Sequence, residues 1–162
     1  MNDASLRKHI VNLLRGGGAH LSFEQAIADL PLPILGETPL GAAHSAWQVV
    51  EHMRIAQWDI LEFSRDPKHV SPEFPDAYWP RTEAPPDAAA WERSLALFRA
   101  DLAAMEKLVA DPKRDLFARV EHPEAKDEHT LLREALLVAD HNAYHLGELV
   151  LIRRLLDAWN PE

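Results

Sequence analysis

The sequence predicts an all-α four-helix bundle with a long proline-rich crossover between its second and third long helices. Three observations carry that prediction. Apolar residues recur at three- and four-residue spacing through four long stretches. Sustained period-two alternation, the signature of half-buried strands, is missing. Capping residues, glycines and prolines punctuate the ends of the periodic stretches. The 162 residues suffice for one domain with a sizeable core, and residues 1–162 read as a single domain with no internal repeat or low-complexity segment.

The first helix is expected from about Ala4 to Arg15. Leu6, Ile10, Leu13 and Leu14 line one side of it, and Gly16-Gly17-Gly18 stops it. A short helical piece follows, in which Ser22 and Gln25 form a capping box ahead of Ala26 and Ile27, and Pro31 and Pro33 end it. Residues 31–41 read as loop. Ser45 and Gln48 form a second capping box, opening a helix that carries Trp47, Val50, Ile55, Trp58 and Leu61 and ends at Asp66-Pro67.

Residues 67–86 contain six prolines, and the aromatic side chains of Phe74, Tyr78 and Trp79 are expected to pin this segment to the bundle. Twenty extended residues reach up to ~66 Å, whereas a 24-residue helix is ~36 Å long, so the second and third long helices could run parallel. Asp87 caps the third helix, which carries Trp91, Leu95, Phe98, Leu102, Met105 and Leu108 before Asp111-Pro112. Residues 112–128 are polar and read as loop. Thr130 caps the fourth helix, expected to run to about Trp159 with Pro161 beyond. The five tryptophans are expected to fill core or interface.

Composition narrows the function. The apolar fraction of 47% is ordinary for a globular protein. A net charge of −9 argues against nucleic acid or an anionic membrane as partner and leaves a small-molecule substrate as the expected one. There is no cysteine, which excludes disulfides, thiolate metal sites and cysteine nucleophiles, so a transition-metal site must use His, Asp or Glu. No apolar run is long enough to span a bilayer, and the polar start of the chain lacks a signal-peptide core, so a cytoplasmic location is expected.

The chemistry concentrates in Asp140-His141-Asn142-Ala143-Tyr144-His145-Leu146-Gly147-Glu148. His141 and His145 are four positions apart on one helix, so both rings leave the same face one turn apart, a spacing that suits two imidazole ligands on one ion. His52 lies about two turns inside the second long helix and is their natural partner, because Val49, Ile55 and Ala56 beside it look core-facing. Three neutral imidazoles would hold a divalent metal and leave coordination positions open. The bland alternative is a polar helix face whose histidines bind nothing.

Glu148 reads as a fourth ligand, an acceptor behind a ligand, a general base, or a polar-edge residue of the helix. His44 closes the helix start or lines a pocket mouth. It is eight residues from His52, ~12 Å along a helix, too far to share an ion from that element. His9, His20, His69, His122 and His129 read as solvated.

The segments His44-Ser45-Ala46-Trp47-Gln48-Val49-Val50-Glu51-His52 and Asp140 to Glu148 resemble the DinB-like (DinB/YfiT) superfamily of metal-binding four-helix bundles. That family opens one helix with His-Ser-x-Trp ahead of a ligand histidine and later carries His-x-x-x-His-x-Gly. The resemblance implies His52, His141 and His145 as the metal triad, the parallel-helix connection, and homodimers. It implies zinc, nickel or manganese as the ion, and for some relatives a low-molecular-weight thiol cofactor used in transferase or isomerase reactions. Two enzyme versions follow: a thiol-dependent S-transferase, and a metal-hydroxide hydrolase with Glu148 as candidate base. The rivals are a non-catalytic metal-binding or stress-response module, and a helical interaction protein without metal.

Overall fold

The computed structural model describes residues 3–159. Five helices follow one another: α1 (Ala4–Arg15), α2 (Phe23–Ile27), α3 (Ala46–Arg65), α4 (Ala88–Ala110) and α5 (Leu131–Leu155). Short 3₁₀ turns occupy Leu32–Ile34 and Asp76–Tyr78. Among the described residues there is no strand, only an isolated bridge between Arg119 and Thr130. The long helices α1, α3, α4 and α5 form the bundle, and α2 packs on α5.

The starts of the helices follow the expected chemistry. Both capping boxes form: Ser22 and Ser45 each accept a hydrogen bond from the backbone N–H three residues on, and Gln25 and Gln48 reach back to the cap. Asp87 accepts from the Ala90 N–H, and Thr130 from the Arg133 N–H. Gly16 ends α1 at φ 67°, a left-handed conformation that costs glycine little. The α1 residue Arg7 is buried, and its guanidinium donates to the carbonyls of Val109, Asp111 and Arg114 at 2.7, 2.9 and 2.6 Å. It thereby satisfies acceptors at the C-terminal end of α4, where the helix dipole favours a cation.

The end of α5 departs from expectation. The helix stops at Leu155, four residues before Trp159. Asp157 adopts φ 54°, the Ala158 N–H bonds to the Arg153 carbonyl and the Asp157 N–H to the Arg154 carbonyl. This 6→1 and 5→2 pairing is a Schellman turn with aspartate in the position glycine usually fills, and no sequence signal as strong as a glycine announces it. Pro161 lies outside the described residues.

Contacts between α3 and α4 advance in the same sense along both helices: Trp47 with Trp91, Glu51 with Ser94, Gln57 with Phe98. These two helices are therefore parallel, and residues 67–86 return along the bundle between them. Contacts between α3 and α5 run in opposite senses, with His44 meeting Glu148 and His52 meeting His141. Residues 112–128 are loop, tied down by fully buried Leu116, whose carbonyl accepts from the Leu132 N–H.

The apolar interior forms two clusters. One gathers Phe23, Leu35, Trp47, Val50, Met53, Phe98 and Leu149 with their neighbours; the other gathers Ile10, Leu14, Leu61, Met105, Val109, Leu116 and Val138 with theirs. A polar layer lies between α3, α4 and α5. Buried Gln57 donates to the Phe98 carbonyl at 2.7 Å and accepts from Asn142 at 2.9 Å. The histidines of α3 and α5 stand beside this layer.

Candidate metal centre

His52 projects from the second turn of α3, while His141 and His145 project from consecutive turns of α5. Their ring centroids form a near-equilateral triangle with sides of 4.9, 4.7 and 4.6 Å. One candidate ligand atom from each lies within 4.8 Å of the others, and the Nε2 atoms of His52 and His141 are 3.0 Å apart. Two nitrogens bound to one zinc at ~2.0–2.1 Å stand about 2.8–3.4 Å apart for ligand angles between a right angle and tetrahedral. The separation therefore fits two donors on one ion.

Outer hydrogen bonds orient the rings. The His52 Nδ1–H donates to the Tyr78 carbonyl at 2.9 Å, which leaves Nε2 with its lone pair facing the triad. The His145 Nδ1–H donates to Glu148 at 2.8 Å, the carboxylate–histidine arrangement that fixes a ligand tautomer. The Nε2 of His141 faces the Nε2 of His52, so the two rings present a nitrogen to the same point.

The electrostatics keep two of the imidazoles neutral. Burial pushes His141 down to about 4, and the charges His145 and His52 would carry add to the effect. Burial also lowers His52, with the Tyr78 carbonyl opposing. The hydrogen bond from His145 holds the Glu148 carboxyl below its usual range; burial opposes it, and the His44 contact reinforces it. Neutral imidazole is the form that binds a metal.

Several partners come from outside the triad. Glu148 also meets the Nδ1 of His44 at 3.2 Å, so one carboxylate holds two imidazoles. The indole of Trp79 stacks on His52 at 3.8 Å and 1°, and on His44 at 3.8 Å and 16°. The exposed ring of Tyr144 stands edge-on to His145 at 5.0 Å. Segment 67–86 thus supplies one wall of the site, through Tyr78 and Trp79.

A family model of the DinB superfamily matches residues 20–149, from just ahead of α2 to the last residues of the histidine-bearing face of α5. The chain belongs to the DinB superfamily. No curated protein and no solved structure matches it. In this DinB-superfamily chain the matched span contains all three histidines of the cluster, so the resemblance read from the two motifs and the convergence in space concern the same residues.

Placed against expectation, His52, His141 and His145 come together, and Glu148 lies behind His145. His44 lines the site through Glu148 and Trp79. Three histidines read as solvated are not. His129 is half-buried, with its ring edge-on to Phe63 and its Nδ1 shielded from solvent. His122 is buried, donating through Nε2 to the His69 carbonyl and accepting at Nδ1 from the Glu124 N–H; His69 bonds Asp59 at 2.7 Å. Loop position gave no sign of either bond. Phe74 does not pin its segment: it is 82% exposed and only edges Tyr78. Trp79 is a wall of the site rather than core filler, unlike buried Trp47 and Trp91. Spacing could not reveal it, because a residue in a proline-rich loop has no period that assigns it a face. No helix among the described residues is long and apolar enough to cross a membrane.

Proposed function

We propose that the chain is a divalent-metal-dependent enzyme, with His52, His141 and His145 as the metal ligands and zinc or nickel as the ion, manganese being the other candidate. The reaction is attack on a small electrophile, by a low-molecular-weight thiol in the transferase version or by water in the hydrolase version. The carrying observation is the convergence of three imidazole rings, two of them turned inward by hydrogen bonds to their Nδ1 atoms. An ion held there would bring a bound thiol or water toward ionisation at neutral pH.

The protein's own groups do the rest. Three donors leave coordination positions for reactants. Glu148 is spent on His145 and His44, which supports an orienting role over that of a base. It also counts against a closed four-ligand site, the feature that would favour a non-catalytic module, because the carboxylate stands on the Nδ1 side of His145. Trp79 shields one face of His52 from water, and exposed Tyr144 flanks the approach beside His145.

Metal analysis of purified protein and titration with zinc, nickel and manganese test the shared premise. Binding of about one ion per chain, abolished in a folded His141→Ala variant, is expected. The loaded protein is then assayed with thiols and electrophiles, and with ester and amide substrates. A chain that takes up none of zinc, nickel and manganese at neutral pH removes the proposal.

A further inference from the structure

The hydrogen bonds behind His52 continue well past the ligand set. The carboxylate of Asp59 is buried on α3, seven residues after His52 and therefore ~10 Å further along the helix. A buried carboxylate needs its oxygens bonded. Both are: Oδ1 accepts from the His69 Nε2–H at 2.7 Å, and Oδ2 accepts from the Tyr78 hydroxyl at 2.6 Å. The His69 carbonyl in turn accepts from buried His122 at 2.9 Å. Burial and the neighbouring Asp59 carboxylate push the Tyr78 phenol above its usual range, so it stays an O–H donor. The backbone carbonyl of this same Tyr78 receives the His52 Nδ1–H, and the next residue, Trp79, lies flat on the His52 ring.

We propose that Asp59 and Tyr78 are positioning residues for the metal centre. One carboxylate clamps residues 69–79 as a strap against α3, and the strap's carbonyl at position 78 fixes the orientation and tautomer of His52. Neither residue touches the ion. Asp59 acts on His52 only through the placement of Tyr78, and without its anchor the strap carries the Tyr78 carbonyl and the Trp79 ring away from the imidazole. Because binding linkage is reciprocal, an ion on His52 must also steady the strap. The inference rests on the metal-binding reading above and adds to it a pair of residues that the three-histidine pattern does not contain.

Tyr78→Phe removes the hydroxyl and keeps both the ring and the backbone carbonyl, so it cuts the anchor together with the hydroxyl's contact to Ser71 inside the strap. Asp59→Ala removes both anchors and could compromise folding, which makes Tyr78→Phe the decisive variant. Zinc affinity by competition with a chromophoric chelator should fall roughly tenfold or more in Tyr78→Phe, the range seen for outer partners of metal ligands. The double variant should lose little beyond Asp59→Ala, since both act through one link. Hydrogen exchange at residues 69–79 should slow on zinc addition in the wild type and lose most of that response in Tyr78→Phe. Leu14→Ala destabilises the other end of the core and should leave affinity within about twofold, separating positioning from general loosening. If wild-type protein binds none of zinc, nickel and manganese, the metal reading fails and this inference with it; where nickel or manganese is the ion bound, the same comparisons are made with that ion. If wild type binds zinc and Tyr78→Phe binds it equally well with an unchanged exchange response, the metal reading stands and the strap is overturned.

Discussion

Acidifying the metal-free protein should destabilise it through His141, by an amount the structure allows to be worked out. The unfolded chain takes up a proton on this imidazole near 6.5, the folded chain only near 4. Between those values the unfolded state binds more protons, so stability falls as pH drops from about 6.5 to about 4 and levels off below. A fall from 6.5 to about 4 corresponds to roughly 3 kcal/mol if fully realised. His141 is only partly buried, so solvent screening brings the expected contribution to roughly 2 kcal/mol. Urea denaturation of chelator-treated protein at pH 7, 5.5 and 4 measures the slope, and His141→Gln isolates the residue by difference. The variant should lose about 2 kcal/mol less than wild type over this range. Saturating zinc should steepen the wild-type dependence, because bound ion stabilises the folded state only while the imidazoles stay unprotonated. Identical pH slopes in the metal-free wild type and His141→Gln would refute the burial argument.

Two further outcomes follow from the same contacts. Glu148→Gln keeps the side-chain shape but removes the charge behind His145, and should weaken zinc binding by roughly 10–100-fold with the helical circular dichroism unchanged; unchanged affinity in a calorimetric titration would remove Glu148 from the site. Ser45→Ala deletes the α3 cap and the hydroxyl bond to the Glu83 carbonyl, and should cost about 1–2 kcal/mol in chemical denaturation; a loss indistinguishable from zero would show that neither bond matters.

Much of the architecture was legible because helix starts are written locally. The Ser22/Gln25 and Ser45/Gln48 boxes, Asp87 and Thr130 each act within four residues, and each forms as expected. The His141/His145 pair was legible for the same reason, since helical spacing alone puts both rings on one face. What escaped detection depends on contacts distant in sequence. The His52–Tyr78 bond spans 26 residues and the His122–His69 bond spans 53, and both pass through segments without periodicity. Tyr78 acts on His52 through its backbone carbonyl, a group every residue has, so no side-chain pattern could single it out. Asp157 hid the end of α5 because aspartate reaches the left-handed region less often than glycine.

The position of the site follows from how the interior is divided. A continuous apolar core would be the more stable arrangement, since buried polar groups recover little beyond their own desolvation. Here the core divides into two clusters that share partly buried Leu102, with Gln57 and Asn142 between them and the three histidines beside that polar pair. The break joins α3 to α5, the two helices whose side chains form the triad. Packing on both sides holds the backbone of each histidine of the triad, while the polar layer allows neutral imidazoles to be buried without facing hydrocarbon alone. Desolvation lowers His52 and His141, so the cost of the break is also what keeps these rings unprotonated at neutral pH. The strap completes the arrangement from the outside. It brings a carbonyl and an indole to His52, a ring that α3 could otherwise position only through its own rotamer. Buried polar side chains lie elsewhere in the bundle as well, Arg7, Glu134 and Arg153 among them, but the layer of Gln57 and Asn142 is the one beside which the donor atoms converge.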